Sequence, residues 1–451
     1  LFNELAAVLR GGQLLFPDDA AYEQVRQLWN GRVKTRPAAI ARCLTVQDVI
    51  HTVRWTRAHG LPLSVRGAGH EIFGRSLREN GVVIDLSQMR SVTIDPVART
   101  AQIQAGATMG NLIEAAEKYG LATATGTISG VGMTGLTLGG GYGPLIGAYG
   151  LVADNLLSAQ VVTADGRLVT ANAEEHPDLF WGLRGGGGNF GIVVSLEYRL
   201  HPLTTVLSGL LLYPVDQART VLHRFNEFIA TAPDELTITS GFLQTPDGAT
   251  VLFLSPTYCG APEAGEQVIA PLRTFGTLLV DQVQPVTYND LIHGLDAFTP
   301  AGRHYYLQTQ SLDGFQTETI NALIEHGLPL PSPFSMINVH NFHGAASRVG
   351  ASETAFALRQ DHLMVELIAA WEPQSPDDEQ RHIQWAQHIS QALAPYAFKG
   401  GYINLLDEKE QERVPLAFGS NYERLLDLKR KYDPDDVFHS TIGHLTPKEK
   451  S

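Results

Sequence analysis

Cysteine is scarce: Cys43 and Cys259 are the only two in 451 residues. That excludes a disulfide scaffold, and the pair lacks the CxxC spacing of a zinc site, so both read as buried thiols rather than reactive ones. Positive charge is in deficit as well. Lys and Arg number 33 against 47 Asp and Glu, a formal net charge of -14, which excludes the clustered basic surface that nucleic acids or an anionic membrane would need. A small-molecule partner becomes the default. No apolar run is long enough to span a bilayer. The stretch Leu1 to Phe16 carries Glu4 and Arg10 inside its apolar residues, so it lacks the core of a secretory signal. A cytoplasmic location is expected, with a short leader before Leu1 left open. Fixed-period repeats and low-complexity tracts are missing too, which removes solenoids and disordered tails.

What remains is ordinary for a globular enzyme: 44% of residues are hydrophobic, enough for one elaborate domain or two. Thr45 with Asp48 has the form of a capping box, opening a helix whose Val49, Ile50 and Val53 share a side until Gly60. Strands are expected at Leu63 to Val65, Val82 to Leu86 and Thr100 to Gln104, with a turn at Asp95-Pro96. Thr108 caps a second helix through Lys118. Leu156 to Thr163 and Leu168 to Thr170 flank Asp165-Gly166, a hairpin signal. Beyond about residue 210 longer strands, Leu236 to Gln244 and Thr250 to Cys259, alternate with helices. Strands and helices mixed without strict alternation favour an α+β fold.

Glycine is concentrated in three loops: Arg66 to His70, Gly126 to Gly143 and Gly185 to Gly191. Consecutive backbone NH groups in such loops form concavities for phosphate oxygens, so three in one half of the chain point to a large phosphorylated cofactor. Two GxGxxG matches, Gly130-Gly132-Gly135 and Gly186-Gly188-Gly191, fail as nicotinamide fingerprints. The first is interrupted by Gly139-Gly140-Gly141 before a long helix can form, and the second runs into the strand-like Ile192 to Leu196. Asp154 stands near the spacing of a ribose-binding acid only by coincidence.

Four segments in order, Val65 to His70, GTISGVGMTGLTLGGGYG at Gly126 to Gly143, LFWGLRGGGGNFG at Leu179 to Gly191, and a tail with Tyr402-Ile403-Asn404, Asn421-Tyr422 and Tyr432-Asp433-Pro434, resemble the berberine bridge enzyme-like FAD-linked oxidases. These belong to the vanillyl-alcohol-oxidase, or PCMH-type FAD-binding, superfamily. The resemblance implies an FAD-binding domain from residues 1–205 completed by 398–451. Between them, residues 206–397 would form an inserted antiparallel-sheet substrate domain covered by helices. It also implies a flavin bonded to His70. Relatives with a second, cysteinyl link carry Cys where this chain has Ile128, so a single link is expected, as in the subgroup similar to 6-hydroxy-nicotine oxidases.

By the same resemblance the cofactor lies against Arg66, Gly67, Ala68, Gly69 and His70, and against Gly126, Thr127, Ile128, Gly130, Val131, Gly132 and Gly135. Gly140, Gly141, Tyr142, Gly143, Asn155, Gly191, Ile192, Val193, Tyr402 and Asn404 complete that set. Val131 falls where the family sets oxygen access, and a Val there goes with molecular oxygen as acceptor. Tyr402 matches the family tyrosine near the flavin, either as the group that takes the substrate proton or as a positioning donor. On the substrate side, strand alternation puts His304, Tyr306 and Gln308 on one face and Asn338 and His340 on a face of another strand. The HxxH of His340 and His343 puts its rings on opposite faces of a strand, so no metal site is expected. Glu366, inside the apolar run Leu363 to Ala370, is a buried base or a salt-bridged strand residue.

The implied activity is hydride removal from an alcohol or amine carbon of a small organic substrate, with oxygen reduced to hydrogen peroxide. The runner-up is a flavin dehydrogenase or a cyclising or tailoring catalyst of secondary metabolism. A catalytically silent flavin- or carbohydrate-binding protein is the alternative from another class, and a nicotinamide-linked reductase a weaker one. Substrate and oligomeric state are open.

Overall fold

The helix after Thr45 forms for the reason its sequence gives. Thr45 is extended and its hydroxyl accepts from Asp48 N–H, while the Asp48 carboxylate takes the Thr45 N–H at 2.9 Å. That pairing satisfies two of the free donors at the start of the helix Val46–Ala58. The computed structural model describes residues 2–373 and 376–446. The helix packs on a four-stranded sheet with spatial order Gln13–Leu15, Ala39–Arg42, Val82–Asp85, Leu63–Arg66. The last three strands are mutually parallel and the first is antiparallel. Leu63–Arg66 is therefore an edge strand, parallel to Val82–Asp85, and delivers the first glycine loop from that edge.

A second, five-stranded antiparallel sheet runs Val92–Asp95, Thr100–Gln104, Ile192–Arg199, Leu156–Val162, Leu168–Asn172. The strand Val92–Asp95 goes beyond the sequence reading, which saw only the turn that follows it. Asp95 makes that turn by accepting the N–H groups of Val97 and Ala98 at 2.9 and 2.8 Å, so the strand before it folds back on Thr100–Gln104. The Asp165-Gly166 hairpin joins Leu156–Val162 to Leu168–Asn172 as expected.

The third sheet is antiparallel and has nine strands. Its main path is Val280–Asp281, Leu211–Pro214, Thr250–Tyr258, Leu236–Gln244, Met336–Phe342, His362–Trp371, His304–Leu312. The helices Ala218–Ile229, Thr317–Gly327 and Pro376–Leu393 cover one face, where Phe225, Ile320 and Ile389 pack against Ile337, Val365 and Leu367. The opposite face of the last three strands looks toward the glycine loops. Both faces are covered, so these strands are buried along nearly their whole length, polar side chains such as Gln308, Gln310 and Asn338 included.

The chain then returns to the first half. The helix Tyr422–Tyr432 lays Leu425 and Leu428 against the helix Pro177–Leu183. In its last turn a fully buried Lys429 binds Asp433 and Asp436, each at 2.7 Å, and the Phe438 carbonyl at 3.3 Å. This cluster fixes the following segment so that Ser440 bridges Ser64 at the edge of the four-stranded sheet.

Candidate functional site

The glycine loops, the uncovered face of the nine-stranded sheet and the returning segment enclose one cavity of about 340 Å³. Its floor comes from Gly67, Ala68, Gly69 and His70, then Gly126, Thr127, Ile128, Val131, Gly132 and Gly135. Gly191, Ile192 and Val193 add the start of a strand, and Tyr142, Tyr402 and Asn404 close one end. The backbone opens toward this space at specific points: a Cβ at Gly135 would meet nothing within 4 Å. Several polar atoms facing this region are buried with no hydrogen-bond partner among the described residues: Ser64 Oγ, Ser76 Oγ and His70 Nε2. Since orphaned buried polar groups cost about 1–3 kcal/mol each, their convergence on one cavity fits a large polar ligand such as FAD.

Other residues expected at the cofactor serve the protein instead. Arg66 turns away to bond the carbonyls of Val25 and Gln27, tying down the segment between the strands Gln13–Leu15 and Ala39–Arg42. Asn155 is saturated by the carbonyls of Tyr149 and Leu151, both at 2.9 Å, and by His201 at 2.8 Å. Gly140, Gly141 and Gly143 lie behind the wall; a Cβ on Gly143 would sit 1.7 Å from the Thr125 carbonyl. These glycines permit close backbone packing rather than ligand approach. Gly130 is outside the lining but against His70, whose ring a Cβ there would touch at 3.7 Å. Asp154 pairs with Arg359 through two 2.8 Å bonds, which accounts for it without a ribose. The first GxGxxG opens only the short helix Met133–Leu138, and the second leads into Ile192–Arg199.

On the sheet side, alternation holds but its phase is reversed on one strand. Tyr305 and Leu307 line the cavity, whereas Tyr306 and Gln308 face the covering helices. There the Tyr306 hydroxyl accepts from Gln387 at 3.2 Å and from Gln308 at 3.1 Å. His304 shares their face and stacks edge-on with Trp371. On the neighbouring strands the phase is as expected: His340, Met364, Glu366 and Ile368 line the cavity. Asn338 stands just behind and donates to the Glu366 carboxylate at 2.8 Å. His343 points elsewhere, 3.4 Å from the Thr237 hydroxyl, and no group of three metal-ligating side chains occurs among the described residues.

The electrostatics sort the titratable groups. Burial alone would raise the Glu366 carboxyl, but the adjacent His340, 3.1 Å away, and the bond from Asn338 outweigh it and hold the group below its ordinary value. Glu366 is therefore an ionised carboxylate facing a largely apolar chamber. Tyr402 is the reverse case: burial pushes its phenol far up, and its oxygen accepts from Asn404 Nδ2 at 2.7 Å and Gly141 N–H at 3.1 Å. Among the described residues no cation offsets that burial, so Tyr402 keeps its proton and can donate it. The Tyr142 hydroxyl, 2.8 Å from His362 Nε2, donates to it because His362 Nδ1–H is committed to the Gln360 carbonyl. Burial brings His70 down to about 4, so its imidazole is neutral near pH 7.

Several cavity residues escaped the sequence reading. Ser64 and Ser76 lie beside a recognised loop but carry no pattern of their own. Phe438, Ser440, Thr441 and Ile442 follow the Tyr432-Asp433-Pro434 motif at a distance that gave no sign of the return. Trp29, also in the lining, precedes every motif. The two cysteines lie outside the cavity lining; Cys43 is buried, and Cys259, raised to about 12 by burial, is half-buried. No helix among the described residues is long and apolar enough to cross a membrane.

Comparison with known proteins agrees with this geometry. The family described as FAD binding domain matches residues 37–172, and the family described as berberine and berberine like matches 401–443. The chain is 30% identical over 439 residues to the FAD-linked oxidoreductase YgaK of Bacillus subtilis, covering 95% of each. It is likewise 30% identical over 461 residues to (R)-6-hydroxynicotine oxidase of Paenarthrobacter nicotinovorans, again covering 95% of each. Among solved structures, 6-hydroxy-D-nicotine oxidase from Arthrobacter nicotinovorans superposes with a TM-score of 0.87 at 28% identity, covering 97% of this chain and 98% of that one. Berberine bridge enzyme from Eschscholzia californica, at 22% identity and a TM-score of 0.88 over 98% and 99% of the two chains, shares the fold.

Proposed function

We propose, for a chain that belongs to the berberine-like FAD-linked oxidoreductases, that it is an oxidase carrying FAD on a single bond to His70. Its reaction would oxidise an alcohol or amine carbon of a small organic substrate and release hydrogen peroxide. Residues 1–205 and 398–451 would hold the cofactor, and 206–397 the substrate. When bound, FAD supplies the two-electron acceptor that no side chain of the protein provides. Gly67 to His70, Gly126 to Gly135, Gly191 to Val193 and Phe438 to Ile442 would hold it, and Ile128 leaves no thiol for a second link.

The observation that carries this reading is the Glu366–His340 pair on the sheet wall of the chamber that His70 enters from the loops. An ionised carboxylate in an apolar space accepts a proton from a substrate O–H or N–H and holds the reacting carbon in register. His340 at 3.1 Å stabilises the charge before the reaction. Tyr402, with its phenolic proton retained, donates a hydrogen bond and excludes water from the chamber end. Apolar Tyr305, Leu307, Met364 and Ile368 shed water around the substrate.

The test of attachment is acid precipitation, washing, and ultraviolet fluorescence on a denaturing gel. Flavin stays with the wild-type protein and is lost from His70→Ala; release from both would overturn the bond. Oxygen use is read separately, as peroxide formed during turnover. Reduction of an artificial acceptor without peroxide favours the dehydrogenase reading.

A further inference from the structure

Residues 29–31 cross between the His70 loop and the edge of the nine-stranded sheet, bonded to both. On one side Trp29 N–H donates to Gly69 O at 2.9 Å; on the other Trp29 O accepts from Gly302 N–H, and its indole Nε1–H donates to Thr299 O, both at 2.9 Å. Asn30, 1% exposed, repeats the pattern with its side chain. Its Nδ2 donates to Ile72 O at 2.7 Å and Tyr305 O at 3.0 Å, and its Oδ1 accepts from Tyr305 N–H at 3.0 Å. The indole is held as the middle of three stacked rings. His70 lies on one side with centroids 4.3 Å apart and planes 19° apart, and Tyr305 on the other at 3.8 Å and 18°.

We propose that Trp29 is a positioning residue for flavin attachment, fixing the plane of the His70 imidazole so that a ring nitrogen is presented to the cofactor. The final torsion of a histidine is broad and has little preference of its own, and His70 Nε2 has no hydrogen bond to set it. Stacking on an indole clamped from both sides restricts that rotation, which is the kind of orientation that speeds an intramolecular reaction. In the attachment a C–N bond forms between the imidazole and the flavin ring-methyl carbon, while one N–H and one C–H bond break. The two electrons and two protons left on the ring pass to dioxygen, giving one hydrogen peroxide per flavin attached. The inference rests on His70 being the point of attachment.

The experiment follows acid-stable flavin over time after FAD is added to the full chain made in riboflavin-limited cells, with visible absorbance reporting non-covalent occupancy. The comparison is wild type, Trp29→Phe, which keeps a stacking ring but loses the indole N–H, and Trp29→Leu, which keeps bulk without the ring. Trp29→Leu is expected to bind FAD but attach it roughly 10- to 100-fold more slowly, with Trp29→Phe within about threefold of wild type and peroxide matching attached flavin. Attachment by Trp29→Leu at the wild-type rate overturns the proposal, and so does Trp29→Phe as slow as Trp29→Leu. Loss of FAD binding by both variants overturns it in favour of a purely structural role. Wild type that never retains flavin in acid fails the underlying covalent reading instead, and takes this inference with it.

Discussion

Replacing Lys429 with Met tests how firmly the returning segment is held against the cofactor chamber. Met keeps most of the stem and removes the charge. Lys429 and Asp433 are both fully buried, and the ammonium bonds Asp433 Oδ2 and Asp436 Oδ1 at 2.7 Å each. Without it Asp433 still accepts from Val437 N–H at 2.8 Å and Phe438 N–H at 2.9 Å, but its charge has no partner. Removing one member of a buried pair costs about 3–5 kcal/mol, against about 0–1 kcal/mol for an exposed one. Asp436 loses less, because its side chain is 35% exposed and keeps His444 at 3.0 Å. Urea unfolding followed by tryptophan fluorescence should therefore show a loss of about 3–5 kcal/mol at pH 7. The double variant Lys429→Met, Asp433→Asn should recover a good part of it, since the stranded charge is gone. A single-variant loss under about 1 kcal/mol, or a double variant no better than the single, would refute the reasoning. The pH dependence has a defined sign. Burial opposes the charge on Asp436, but bonds to His444 and Lys429 bring its folded value to about 2, below the ordinary 3.8. Its share of the stability is complete above the higher value and disappears as the pH falls through the lower one.

Two further expectations concern the chamber itself. Glu366→Gln should slow flavin reduction by about 10²–10⁴-fold with whichever substrate bleaches the wild-type flavin, and should lower stability, because His340 and Asn338 favour the carboxylate in the folded state. As the carboxyl lies below its ordinary value, the wild-type acid limb belongs below the usual carboxylate range; a limb near neutrality would contradict the assignment. Tyr142→Phe takes the donor from His362 Nε2 in a fully buried setting and should lower stability by about 1–3 kcal/mol, measured by thermal unfolding. No change there would mean that another donor replaces the phenol.

Features set by neighbours in sequence were legible, and those set by distant partners were not. The Thr45–Asp48 cap, the Asp165-Gly166 hairpin and the failure of both GxGxxG runs to open long helices are decided within a few residues. The phase of His304–Leu312 is decided elsewhere. The polar His304, Tyr306 and Gln308 alternate with Tyr305 and Leu307, but the polar side is the one turned to the covering helices, where Gln387 and Ser390 supply partners that only packing fixes. On Met336–Phe342 the polar Asn338 and His340 alternate with Ile337 and Val339, and the phase was readable. Arg66 and Asn155 sit in motifs that resemble cofactor loops, but their partners, Val25, Gln27, Leu151 and His201, are fixed only by packing. Glu366 was recognised as a buried acid, but its partners on the next strand, His340 at 3.1 Å and Asn338 at 2.8 Å, are fixed by the sheet register and were not. Trp29 gave no signal: its ring partners are 41 and 276 positions downstream, at His70 and Tyr305.

The walls of the chamber are drawn from Trp29 through Ile442, so a ribosome must deliver nearly all of that span before the enclosure exists. A partly made chain with the early loops in place has no Phe438, Ser440 or Thr441 to shut the far side, and its long-range pairings are slow to form. Vitamin-derived ligand thus meets a nearly finished polypeptide, and its capture can act as a late quality check on chains that have folded their first and last portions together.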